Sequence, residues 1–294
     1  MTSPRDIDPV APPAIQYNKA APSQSRYVEV RGLRLHYLDY GSAGHTTMLC
    51  VHGAAAHAHW YDYVAPGFSS DHHVLSLDLR GHGNSAWSTT VDYSHEDFAA
   101  DIDEVAKNLD LRNFVLVGHS MGGMACLTYA ATYPGRLNKL IIVDARPRLA
   151  DEQVAKLRDY SSQETKKYAT IDDLLKRYRL QPAGTTAGPD VIRHVAGKGA
   201  TQTDDGNWQH KFDRRLHISR EVVDGYQYWR KIKIPALLVT GAISTRIDAQ
   251  IFAEMKQCCP QIEMSPVANS DHHVTLDNPD GFVAAVRPFL AKHR

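Results

Sequence analysis

The sequence predicts an α/β chain: a wound, mostly parallel sheet with helices on both faces, interrupted once by a largely helical insertion. Two observations carry this. From residue 26 onward, short β-branched or apolar runs alternate with amphipathic stretches, without internal repeats or low-complexity blocks. Between 147 and 230 that rhythm gives way to charged stretches of helical outline. The 294 residues exceed one typical domain of ~150 but suit one α/β domain plus an insertion. A hydrophobic fraction of 43% with 19 glycines is enough for a sizeable core.

The elements follow in order. Residues 26–30 and 33–40 flank Gly32 and form an opening hairpin; 47–51 and 73–77 are the next strands. Ser94, with Asp97 three residues on, caps a helix carrying Phe98, Ile102, Val105 and Leu109 on one face. The run 114–117 is continuously apolar, as in a strand covered on both faces. A small-residue helix over 122–133 stops at Pro134-Gly135, and 140–143 is another buried strand. The insertion offers helices over 151–159 and 171–178, with breaks at Gln181-Pro182-Ala183-Gly184 and Asp204-Asp205-Gly206-Asn207. A strand at 236–240, a helix over 248–259 and a strand near 262–266 follow. A closing helix with Phe282, Val286, Phe289 and Leu290 at helical spacing ends the chain. The expected organisation is a loose arm (1–25), a core (26–146 and 231–294) and a cap (147–230).

Composition excludes several functions. Lys+Arg and Asp+Glu balance at 33 each, so no global field favours nucleic acid or an anionic membrane. No apolar run approaches the ~18–20 residues of a membrane span. The first 25 residues are rich in Pro, Ala and Ser and lack the apolar region of a secretory signal. Cys50, Cys126, Cys258 and Cys259 show no CxxC pair, and the last two are adjacent, which argues for a reduced, cytoplasmic chain. The pairs His57/His59, His72/His73 and His272/His273 match no zinc spacing, so no metal is expected.

The chemistry centres on Gly118-His119-Ser120-Met121-Gly122, between a buried strand and a helix rich in Gly and Ala. In that context Gly-x-Ser-x-Gly makes a sharp turn that thrusts the Ser120 hydroxyl above the sheet. The helix start offers the Met121 N–H to a developing oxyanion. His52-Gly53-Ala54-Ala55 ends a strand where the Ala54 N–H can face Ser120 as a second donor. Ser270-Asp271-His272-His273 follows the last strand, and its loop can carry His272 over the sheet to the hydroxyl; His273 is expected to pack.

Four motifs together carry a resemblance: His52-Gly53, Asp78-Leu79-Arg80-Gly81-His82-Gly83-Asn84-Ser85, Gly118 to Gly123, and His272 followed by Pro279. From about residue 26 to the end the chain resembles the α/β-hydrolase superfamily of serine hydrolases. The resemblance implies an eight-stranded, mostly parallel sheet with an inserted cap. It leaves the substrate open, because the fold hosts many reactions. Asp78 and Arg80 are expected to brace loops.

The catalytic acid departs from the commoner pattern, in which Asp stands three residues after the glycine ending the strand at 236–241. That position is Ser244. Asp248, four residues on, reads best as a helix cap. Asp144, at the end of the strand 140–143, is the alternative. A minority of the superfamily, including some haloalkane dehalogenases and the acetamidomethylene-succinate hydrolase of vitamin B6 breakdown, is similar in placing its acid there. The expected triad is Ser120, His272 and Asp144, with Asp248 the other candidate acid.

Pocket candidates are His57, His59, Trp60 and Trp87, roofed by Trp208, Tyr226 and Trp229. Arg146 and Arg148 stand where the chain enters the cap, to meet a substrate carboxylate or to lie solvated or ion-paired. The expected activity is cleavage of a small carboxylic ester through an acyl-enzyme, without metal or organic cofactor. An amidase or carbamate hydrolase with the same triad, a C–C bond hydrolase or lyase, and a non-catalytic receptor are its rivals. A serine nucleophile argues against dehalogenase or epoxide hydrolase chemistry.

Overall fold

The computed structural model describes residues 20–218 and 220–293, so most of the arm expected over 1–25 lies outside the described residues. Its last two residues belong to the sheet. β1 (Gln24–Val30) pairs antiparallel with β2 (Leu33–Asp39). β3 (Thr46–Val51) and β4 (His72–Leu77) follow, then α1 (His95–Asn108), closed by the expected Ser94–Asp97 capping box. β5 (Phe114–His119) runs directly into α2 (Ser120–Thr132), and β6 (Leu137–Val143) completes the first half. After the insertion come β9 (Ala236–Gly241), α7 (Ala249–Cys258), β10 (Glu263–Val267), α8 (Val274–Asp277) and α9 (Pro279–Lys292).

The eight strands are ordered β1-β2-β4-β3-β5-β6-β9-β10, and β2 alone runs against the others. The continuous apolar run of β5 is explained by its place between β3 and β6, with every residue buried. Successive residues of a strand point to opposite faces, so one run feeds two cores. Leu116, Leu140, Ile142 and Leu238 pack on the side of α1 and α2. Val115, Val117, Ile141 and Val239 pack on the side of α9 and the 58–68 segment.

The insertion contains α3 (Asp151–Ser162), α4 (Ile171–Arg177), α5 (Pro189–Lys198), β7 (Ala200–Gln202), β8 (Trp208–His210) and α6 (Tyr226–Trp229). Asp204-Asp205-Gly206-Asn207, expected as an irregular break, is the turn of the β7–β8 hairpin. Gly206 sits at φ +81°, and the Thr203 N–H donates to the Asn207 carbonyl at 2.7 Å. The insertion leaves and returns at one point, where the Gly225 N–H meets the Pro147 carbonyl at 2.8 Å. Residues 226–230, expected in the cap, lie beyond that point, and α6 packs on α2 and α7. Among the described residues, no helix is long and apolar enough to cross a membrane.

Candidate active site

Ser120 takes a φ of 51° at the junction of β5 and α2. A non-glycine residue in this region is strained, and the strain persists only where the surroundings hold it. Here glycines hold it. A Cβ on Gly118 would meet the Cys126 sulfur and the Gly122 carbonyl at 2.6 Å, and one on Gly123 would meet the Ala145 Cβ at 2.8 Å. A Cβ on Gly122 would collide with the carbonyls of Val51 and His52, so this backbone lies directly against the end of β3.

That approach brings Ala54 and Met121 to the wall of the cavity that holds Ser120. Ser120 is the first residue of α2, so the Met121 N–H has no carbonyl four residues back within the helix. His272 Nε2 lies 3.0 Å from Ser120 Oγ, and His272 Nδ1 lies 2.7 Å from Asp144 Oδ2. Asp144 is fully buried at the end of β6. Asp248 instead caps α7, accepting the Ile251 N–H at 2.8 Å. Of the two candidate acids, Asp144 is the one brought to His272.

Burial raises the Asp144 carboxyl to about 7, opposed by the Ser244 hydroxyl, the Arg246 charge and a Gly241 N–H. Burial, then the charges of Arg246 and His273, hold the His272 imidazole well below 6.5. A neutral ring beside the hydroxyl is the state a general base needs.

The surrounding polar groups fix this geometry. His119 Nε2 donates to the His272 carbonyl at 2.8 Å, and the His119 ring stacks on Trp60. His273 donates from Nε2 to the Pro182 carbonyl at 2.8 Å. Asp78 accepts from His36 and from the Ala58 and Asn84 N–H groups, and Arg80 grips Asp101 with two nitrogens. Both therefore brace loops. His119 is one of the two variable residues of the Gly-x-Ser-x-Gly motif, and nothing in the spacing marks it.

The cavity is about 390 Å³, near the small end of ligand sites. Trp60 and Arg146 line it as expected, and Tyr160, His217, Arg220 and Arg246 join them. Several expected pocket residues do not. His57 is buried and its Nε2 donates to the Val195 carbonyl at 2.9 Å, joining core to α5. His59 pairs with Asp62 at 2.9 Å. Trp87 is 38% exposed and off the cavity wall. Trp208 bridges Tyr168 through backbone hydrogen bonds of 2.7 and 2.8 Å. Trp229 is 1% exposed in the core beside α2, and the Tyr226 hydroxyl donates to Glu254. Tyr226 and Trp229 leave the expected roof because α6 packs on α2 and α7, whereas Trp208 stays in the insertion, in β8, away from the cavity wall. Arg146 is partly spent on the backbone, its Nε donating to the Arg246 carbonyl at 2.5 Å, and Arg148 lies 3.7 Å from Asp151.

Among the described residues, two clusters bring metal-ligating atoms together, and both are engaged in hydrogen bonds. In His119, His272 and His273 the nitrogens lie within 4.8 Å of one another, but His272 is committed to Ser120 and Asp144. In the second, His59 and His194 both contact Asp62 Oδ2, at 2.9 and 2.7 Å. That is hydrogen-bond spacing, whereas ligands ~2.0–2.1 Å from a tetrahedral ion stand about 3.3 Å apart.

The sheet order, the strand-to-helix serine and the Ser–His–Asp contacts together define a hydrolase scaffold. The α/β hydrolase fold family model matches residues 46–279, and the chain belongs to that family. It is similar to N-formylmaleamate deformylase of Pseudomonas putida, 30% identical over 90% of this chain and 95% of that protein. It is also similar to 2-(acetamidomethylene)succinate hydrolase of Mesorhizobium japonicum, 26% identical over 90% and 95%. The crystal structure of an E-2-(acetamidomethylene)succinate hydrolase superposes with a TM-score of 0.80 at 24% identity, covering 92% of this chain and 99% of that one.

Proposed function

We propose that the protein is a serine hydrolase that transfers an acyl group from a small substrate to Ser120 and then to water. The observation that carries this is the continuous chain Ser120 Oγ–His272 Nε2–His272 Nδ1–Asp144 Oδ2, at 3.0 and 2.7 Å. His272 takes the hydroxyl proton as Ser120 attacks the carbonyl carbon. Asp144 holds the tautomer that leaves Nε2 free and stabilises the imidazolium. The oxyanion of the tetrahedral intermediate accepts from the N–H groups of Ala54 and Met121; losing one such donor typically costs about 10²–10³ in turnover. His272 returns the proton to the leaving atom, the acyl-enzyme forms, and a water activated by His272 releases the acid.

The bond cleaved is proposed to be an amide, ahead of the ester expected from sequence. Both relatives' names put an acyl group on nitrogen, formyl in one and acetamido in the other. Ester cleavage by the same triad is the second reading, since nothing in the oxyanion site or the base discriminates oxygen from nitrogen. Fluorophosphonate labelling of Ser120, followed by matched N-acyl and O-acyl substrates, tests both. Labelling with no turnover of either series would remove the proposal.

A further inference from the structure

The cavity wall is unevenly charged. Arg146, Lys156, Arg220 and Arg246 line it, while Asp144 is the only acid among its described lining residues, and its Oδ2 is committed to His272 and Ser244. Three of these cations are accounted for without a ligand. Lys156 is exposed to solvent. Arg146 is bound to the Arg246 and Thr245 carbonyls. Arg246 stands beside the triad, where its charge acts on Asp144 and His272.

Arg220 is different. Its Nη1 lies 3.2 Å from His217 Nδ1 and its Nη2 lies 3.2 Å from His95 Nε2. Those are its side-chain partners among the described residues, and neither is an acid. Burial holds His95 down at about 3 and His217 well below 6.5, so both rings are neutral acceptors. They orient the guanidinium without cancelling its charge. Two of its five N–H donors are used. Burial also draws Arg220 down to about 10, and no acid among the described residues offsets it.

We infer that Arg220, cradled by His95 and His217, is the carboxylate-binding residue of this cavity, and that the substrate is an acid carrying a carboxylate apart from the scissile acyl group. A planar guanidinium fits a carboxylate through two parallel N–H bonds, and such a charge-assisted pair is stronger than a neutral hydrogen bond. The proposed acyl transfer enters only in locating the reacting carbonyl at Ser120.

Binding to the Ser120→Ala protein tests this without turnover, so its failure is separate from failure of the acyl-transfer reading. The probes are monomethyl glutarate, which carries one carboxylate and one ester, neutral dimethyl glutarate, and inorganic phosphate, titrated calorimetrically at pH 7.5. Monomethyl glutarate is expected to bind at least tenfold more tightly than dimethyl glutarate and more tightly than phosphate. Adding Arg220→Gln is expected to remove that tenfold preference. Arg220→Lys, which keeps the charge but not the fork, is expected to retain only part of it and serves if the glutamine variant does not fold. Equal binding of the two esters, or tighter binding of phosphate, would overturn the carboxylate assignment. An undiminished preference in either folded Arg220 variant would remove Arg220 from it.

Discussion

The Ser244 hydroxyl donates a 2.8 Å hydrogen bond to Asp144 Oδ2, the same oxygen that faces His272 Nδ1. The position where many relatives of this fold carry the acid is therefore occupied by a side chain that solvates the acid supplied by the neighbouring strand. β6 and β9 are adjacent and parallel, so the ends of both strands reach the same histidine. A carboxylate at 244 would place two like charges in one buried site, which disfavours both.

Replacing Ser120 by Ala should reduce turnover at least ~10⁴-fold, as loss of a triad nucleophile does. The fold should be unchanged, because the half-buried hydroxyl's hydrogen bond in the structure is to His272. Turnover above about a tenth of wild type, in protein with a native melting curve, would falsify the nucleophile assignment.

The two candidate acids separate cleanly by substitution with Asn. Asp144→Asn should lose at least about 10³-fold in kcat, because Asn favours the wrong imidazole tautomer. Asp248→Asn should change kcat by less than about tenfold, since Asn caps a helix about as well as Asp. The reverse ranking in a steady-state assay would move the acid to the β9 side.

The acid limb of the kcat/KM profile belongs to the coupled His272–Asp144 pair rather than to either residue. Ser244 and Arg246 both hold Asp144 ionised, and Arg246 also holds His272 neutral. Removing either therefore raises the pH at which the active form is lost. Ser244→Ala and Arg246→Gln should each move the acid limb up, by about one pH unit. A downward move in either variant contradicts the assigned roles.

Stability should decline as pH falls from about 6.5 to about 4. Several buried histidines outweigh the opposing group, the Asp144 carboxyl, which burial raises to about 7 and which takes up its proton in the folded state. Burial lowers His57 and His82 to about 4 and His52 to about 3. Two of these rings are built into the loops as one donor and one acceptor. His52 donates to the Gly53 carbonyl and accepts the Leu79 N–H; His82 donates to the Arg80 carbonyl and accepts the Ala55 N–H. Protonation destroys the acceptor. Above 6.5 the rings are neutral folded or unfolded and contribute no pH dependence. Below it the unfolded chain takes up protons that the folded chain refuses, and each group adds a slope of up to ~1.4 kcal/mol per pH unit. Urea unfolding between pH 4 and 8 reads this directly, and a flat profile between 5 and 6.5 would contradict the buried neutral assignment.

What the sequence alone determined is local. Gly118, Gly122 and Gly123 around Ser120 specify the turn because any Cβ there strikes a neighbouring carbonyl, sulfur or methyl group, and that constraint is written in residue type. The Ser94–Asp97 box and the Asp248 cap are likewise set by neighbours three residues apart. The hairpin at 203–207 was visible as turn residues, but its three-residue strands are too short to show alternation. Tertiary structure decided whatever depends on distant segments meeting. It chose Asp144 over Asp248, since only the packing of β6 against β9 sets the distance to a histidine 128 residues away. It withdrew Trp229 from the cavity by folding α6 onto α2, because an apolar helix face reads alike whether it meets a ligand or a core. It also gathered His95 and His217 around the Arg220 guanidinium. That cluster has no spacing signature, because what distinguishes it is a cation whose side-chain partners among the described residues are histidines and not acids.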